Sequence, residues 1–188
     1  MPLTLIIACK LLLAIKEQFL ITSLETQMGQ SCRILVLGSM PGAASLRALE
    51  YYAHRQNLFW DCVFAAYNIA RDLPYDARVN HLNAHGVGLW DVLASCDRHA
   101  SADATIKNAQ ANDFCHLFRH YPALMRVCLN GTAAARYWQK LVVPSLILGG
   151  MSQQLTDTQI IPLPSTSAAN AVMTRADKLQ KWQAAICV

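Results

Sequence analysis

Three short stretches of this 188-residue chain combine small and polar residues in a way that suits binding chemistry. They are Gly38-Ser39-Met40-Pro41-Gly42, Leu129-Asn130-Gly131-Thr132 and Leu163-Pro164-Ser165-Thr166-Ser167. The first follows the apolar run RILVL and leads into a helical pattern, a setting in which backbone amides cradle a phosphate or the electronegative edge of a base. Residues 38–49 nevertheless contain no Asp, Glu, His, Cys or Asn, so the turn is scaffold without a reactive group. His81/His85 and His116/His120 stand at helical i, i+4 spacing, but neither pair lies in an H-E-x-x-H frame. They are read as surface or core histidines, and no metal or other cofactor is expected. The seven cysteines are odd in number and scattered without a C-x-x-C pair, which suits a reduced, cytoplasmic setting better than a disulfide framework.

The elements that must position these stretches are visible as apolar runs. CRILVLG (32–38), GVGLWDVL (86–93), RVCLNG (126–131) and TQIIPLP (158–164) are short, continuously apolar and bounded by turn residues, the pattern of strands buried on both faces. Helical patterns separate them: residues 45–52, 59–71, 76–85 closed by Gly86, 113–120, 132–141 and 174–186. Residues 95–112 read as a long polar connection. Strand-helix alternation predicts an α/β fold, a three-layer α/β/α sandwich around a central, mostly parallel four-stranded sheet. In such a sheet the ligand sits at the carboxyl ends of the strands, where all three polar stretches fall.

Bulk properties bound the rest. A hydrophobic fraction of 54% and a charged fraction of 15% exclude a disordered chain, and no apolar run reaches membrane-span length. The net charge of +4 permits a nucleic-acid partner without demanding one. LTLIIACKLLLAI near the start is interrupted by Lys10 and lacks preceding basic residues, a poor secretory signal. Residues 1–30 are expected to be an extension, helical against the domain or non-native upstream of Met28, and residues 31–188 a single domain.

In order and spacing, GSMPG-x-x-SL, YYAH-x-x-N-x-FW, AHG-x-x-LWDVLASC, NDF, LNGT-A-A-A-R and LPSTS-x-AN-A resemble the uracil-DNA glycosylase superfamily. The hypoxanthine-DNA (deoxyinosine) glycosylase branch is the most similar. The resemblance runs from about residue 33 to 182. It implies a monomeric, monofunctional enzyme that hydrolyses the N-glycosidic bond of a deaminated base in DNA, chiefly hypoxanthine, and so initiates base excision repair. Such an enzyme flips the nucleotide out of the stack, and cleavage passes through an oxocarbenium-like sugar attacked by water.

The resemblance also assigns roles. Many superfamily members hold the attacking water with an Asn or Asp inside the first turn. In the hypoxanthine branch the catalytic Asn comes later, and Asn57 is the match. Its neutral carboxamide orients water rather than abstracting a proton, and it also suits a helix cap. Phe59 matches the aromatic that stacks on a flipped base, with core packing as the other reading. Gly38, Ser39, Met40, Pro41 and Gly42 supply backbone groups to the base. At Asn130 base reading and helix capping both stand. His54 is either a donor to base or phosphate or a structural histidine. Ser165, Thr166 and Ser167 match a DNA-clamping loop, and the same residues suit a turn capping the last helix.

Three departures mark this chain. Arg55 and Ala168 stand where the family usually has proline. Leu163 stands where uracil-specialised branches place a histidine that stabilises the departing anion, which argues against efficient uracil removal. No lysine lies in the matched blocks as a Schiff-base nucleophile. The competing readings are a uracil-directed glycosylase, a non-catalytic damaged-DNA-binding module, and a nucleotide-binding α/β protein. The last is disfavoured by the absence of G-x-G-x-x-G and P-loop motifs.

Overall fold

The computed structural model describes residues 20–98, 101–170 and 173–187. In chain order the elements are β1 (Leu20–Thr22), β2 (Ile34–Gly38), α1 (Ala43–Ala48), α2 (Phe59–Tyr67), α3 (Tyr75–Ala84), β3 (Val87–Asp91), β4 (Leu93–Asp97) and β5 (Lys107–Ala111). There follow α4 (Phe114–His120), β6 (Arg126–Asn130), α5 (Thr132–Tyr137), α6 (Val143–Leu148), α7 (Ser152–Asp157), β7 (Gln159–Leu163) and α8 (Arg175–Ile186).

The four expected strands form one sheet in the order β3-β2-β6-β7, every neighbouring pair parallel. Along β2 the pleat sends alternate side chains to opposite faces. Leu35 and Leu37 join a core with Leu129, Phe114 and Trp138. Ile34 and Val36 join a second core with Phe59, Trp60 and Trp182. Each face needs its own helical cover, which is why the strand reads as an unbroken apolar run. The three-layer parallel architecture is therefore as expected.

A second, antiparallel sheet, β1-β4-β5, replaces the expected connection at residues 95–112. The chain leaves β3 at Asp91, bends at Val92 and continues as β4 in the other sheet. Residues 20–30 are built into this part of the fold: β1 pairs with β4, and Gln27 bridges Leu89. The apolar run near the chain start lies outside the described residues. Four helices depart from expectation; α1 ends at Ala48 and not at residue 52 because Leu49 adopts a left-handed conformation. α2 stops at Tyr67 because Asn68 adopts a left-handed conformation, and the helix after β6 passes through a π-turn at Trp138–Val142 into α6. α7 was not anticipated.

Candidate active site

The carboxyl ends of β2, β3 and β6 and the loop after β7 meet around a cavity of about 510 Å³. This lies within the range of small-molecule sites. Its walls include residues 38–42, Tyr52, His54, Asn57, Asp91, Asn130 and Ser165, Thr166 and Ser167. Eleven of the twelve sequence-derived candidates thus border one space, the exception being Phe59.

The first turn is held by its carbonyls. Val92 N–H donates to Gly38 O at 2.8 Å and Leu93 N–H to Ser39 O at 3.1 Å. The buried Arg98 guanidinium donates to the carbonyls of Met40 and Pro41 and lies 3.7 Å from the Asp103 carboxylate, which in turn accepts from the Ser39 hydroxyl at 2.9 Å. A cation and a carboxylate from the segment joining β4 to β5 therefore fix the turn, and neither was singled out in the sequence. Ser101 Oγ accepts from Ala43 N–H at 2.9 Å at the start of α1.

Asn57 sits one residue before the cap position of α2. Its Oδ1 accepts from Phe59 N–H at 3.0 Å, satisfying one of the amides a helix start leaves open, while the residue lines the cavity. Asn57 thus supports the helix start from one residue outside the cap position, which Leu58 holds without a side-chain bond, and the carboxamide retains a second oxygen lone pair and its Nδ2 donors. His54 is exposed, and its Nδ1 accepts from Gln56 N–H at 3.3 Å; this bond shapes the turn leading to Asn57.

Phe59 is corrected. It is 0% exposed and meets Trp60 and Trp182 edge-on. The first residue of a helix packed on the sheet faces the core, not the cleft. Tyr51 and Tyr52 line the cavity instead, Tyr52 being stacked on Phe59 with ring centroids 4.0 Å apart. Its backbone is left-handed, φ 58°, a conformation that costs a bulky residue on the order of 1–3 kcal/mol and clusters at functional sites. The Tyr52 hydroxyl is buried without a hydrogen-bond partner, and burial pushes its pKa up.

Asn130 does not cap α5; it lines the cavity with one donor and one acceptor of its carboxamide committed to Thr166. Its Nδ2 donates to Thr166 Oγ1 and its Oδ1 accepts from Thr166 N–H, both at 2.9 Å. Thr166 is 0% exposed, and its carbonyl accepts from Leu58 N–H at 2.9 Å. The pair therefore ties β6, the last loop and the start of α2 together, leaving Ser165 and Ser167 as the outer hydroxyls of the loop. Gly131 makes the approach possible: its φ is 92°, and a Cβ there would lie 2.8 Å from Ser165 Cβ. Trp182 Nε1 donates to Pro164 O at 2.9 Å and anchors the other end.

Asp91, at the end of β3, is 2% exposed, and its carboxyl is pushed up to about 7, chiefly by burial. Sequence reading passed over it within LWDV. A charged residue inside an otherwise apolar buried strand is the signal that marks it. Among the described residues no cluster of three metal-ligating side chains occurs, no lysine lines the cavity, and no helix is long and apolar enough to cross a membrane.

A parallel α/β sandwich with a cavity at its strand ends has the ligand-site placement of open doubly wound α/β proteins. A sequence model described as the Uracil DNA glycosylase superfamily matches residues 26–186, and the chain belongs to that superfamily. It is 32% identical over 158 residues to a Methanosarcina acetivorans protein named hypoxanthine DNA glycosylase, covering 84% of this chain and 92% of the relative. A Methanosarcina barkeri protein of the same name is 35% identical over 111 residues, covering 57% and 69% respectively. A solution NMR structure from Methanosarcina acetivorans, described as a candidate uracil DNA glycosylase, superposes with a TM-score of 0.73 at 30% identity, covering 89% of this chain and 96% of that one. The protein is a DNA glycosylase, and its substrate is DNA.

Proposed function

We propose that this enzyme releases hypoxanthine from deoxyinosine in DNA, acting as a cytoplasmic monomer and leaving an abasic site without cutting the strand. The observation that carries the reading is the placement of Asn57 on a cavity whose first turn has no reactive side chain. Water held by the free lone pair of its carboxamide attacks the anomeric carbon as the purine departs. Tyr52 supplies the face on which the flipped base stacks, backed by Phe59. Residues 38–42, their carbonyls engaged by neighbours, offer backbone amides to the base, and Ser165 and Ser167 contact flanking phosphates.

Two features favour hypoxanthine over uracil. Leu163, at the head of the last loop, is buried and brings no donor for a uracil anion. Both named relatives above carry the hypoxanthine designation. Duplexes bearing a single inosine, uracil or xanthine, incubated with enzyme and then cut at abasic sites with alkali, test the reading. Inosine strands should break only after alkali and faster than uracil strands; breakage without alkali, or a uracil preference, would contradict it.

A further inference from the structure

At the floor of the cavity the carboxyl ends of β2 and β3 lie side by side, Gly38 opposite Asp91. Gly38 is a cut-out for the carboxyl: a Cβ at position 38 would come within 2.7 Å of Asp91 Oδ1 and 3.8 Å of the Tyr52 hydroxyl. The Asp91 carboxyl and the buried Tyr52 hydroxyl thus both flank Gly38 in the cavity wall.

The bonds around Asp91 distinguish its two oxygens. Ser23 Oγ lies 3.1 Å from both Asp91 Oδ2 and Leu24 O, and the Tyr51 hydroxyl lies 3.1 Å from Leu24 O. Two hydroxyls carry two hydrogens and face two acceptors, the Leu24 carbonyl and the carboxyl. The carboxyl receives at most two hydrogen bonds from them, short of the roughly four acceptor positions of an ionised carboxylate. The Ser23 bond falls on Oδ2, and Oδ1 lies against Gly38, the position assigned to the proton.

We propose that Asp91 is a base-contacting residue of the reaction, donating a hydrogen bond from Oδ1 to an acceptor nitrogen or oxygen of the purine as the glycosidic bond breaks. The inference rests on the deoxyinosine reading above. The C1′–N9 electron pair passes to the base, the water oxygen bonds to C1′, and a water proton restores neutrality on the purine. The Asp91 proton is shared and not consumed. Burial favours the protonated carboxyl, the bonds from Ser23 and Tyr51 and the charge of Arg98 pull the other way, and Asp103 raises it again. Arg98 is engaged with the Met40 and Pro41 carbonyls and Asp103.

The test is the single-turnover release of hypoxanthine from a duplex with one deoxyinosine, measured between pH 5 and 9. Wild-type rates should fall about tenfold per pH unit above the titration of Asp91. Asp91→Asn keeps a donor beside Gly38, so it should stay within about tenfold of the wild-type plateau and lose that alkaline limb, while Asp91→Ala should fall about a hundredfold. Ser23→Ala removes a bond that favours ionisation and should move the limb to higher pH, a shift readable even if the Asp91 variants fail to fold. An Asp91→Ala rate matching wild type, an Asp91→Asn rate as low as that of Asp91→Ala, an unchanged limb in Asp91→Asn, or an unmoved limb in Ser23→Ala overturns the inference alone. A wild type that releases no hypoxanthine at any pH overturns the deoxyinosine reading as well.

Discussion

Asn57 serves two purposes with one carboxamide, and the two can be separated by substitution. Asn57→Ala removes the oxygen that meets Phe59 N–H and should cost about 1 kcal/mol in a denaturant melt. Its rate of base release should fall about a hundredfold, as misplacement of an attacking group does. Asn57→Asp keeps the capping oxygen and should keep the stability. Tyr52 and Phe59 divide in the same way. Tyr52→Ala should weaken capture of the flipped base by the ~1–3 kcal/mol of a stacking contact, read as a higher KM with a smaller stability loss than Phe59→Ala, because its ring packs on Phe59 at the edge of the core. Phe59→Ala should instead cost about 3–5 kcal/mol of stability. The reverse pattern would restore Phe59 to the cleft. Asn57 was legible in the sequence only through its family motif, since spacing alone supports a helix cap equally well. Tyr52 was not legible, because its exposure depends on a left-handed backbone that YYAH does not announce.

The last loop is held by elements on either side of it, and this determines how it fails. Asn130→Ala breaks both bonds to Thr166 and leaves a buried amide unsatisfied, at about 1–3 kcal/mol. Hydrogen exchange should rise in the loop after β7 and at the start of α2, which Thr166 O also holds, while the sheet stays protected. Uniform loss of protection would show that the clamp is not local. The four sheet strands were readable because burial on two faces requires unbroken apolar sequence. The ribbon β1-β4-β5 was not. β5 (Lys107–Ala111) is polar and largely exposed, and β4 continues directly from β3, so the apolar run looks like one strand. The ribbon is nevertheless what brings Arg98 and Asp103 to the first turn.

The molecule as a whole carries a carboxyl in its interior, and stability should record it. The folded-state pKa of Asp91 is raised from 3.8 to about 7, so the folded protein binds this proton more tightly than the unfolded chain. The resulting stabilisation is fully present below the unfolded value and is lost as pH rises through the folded one, at about 1.4 kcal/mol per unit. Asp91→Asn should therefore melt above wild type at pH 8, with the difference closing toward pH 4. A constant difference would mean that Asp91 is already ionised in the fold. The layered architecture and the position of the cleft followed from strand-helix alternation, but the tie between residues 20–30 and the cavity, through Ser23 and Asp91, required the folded chain. The central claim is that this cavity excises hypoxanthine with water held by Asn57. Single-turnover base release from inosine and uracil duplexes by wild type and Asn57→Ala tests it most directly. Wild type should release base faster from inosine than from uracil, and the variant should lose about a hundredfold; full activity in Asn57→Ala, or no hypoxanthine released by wild type, would contradict this claim.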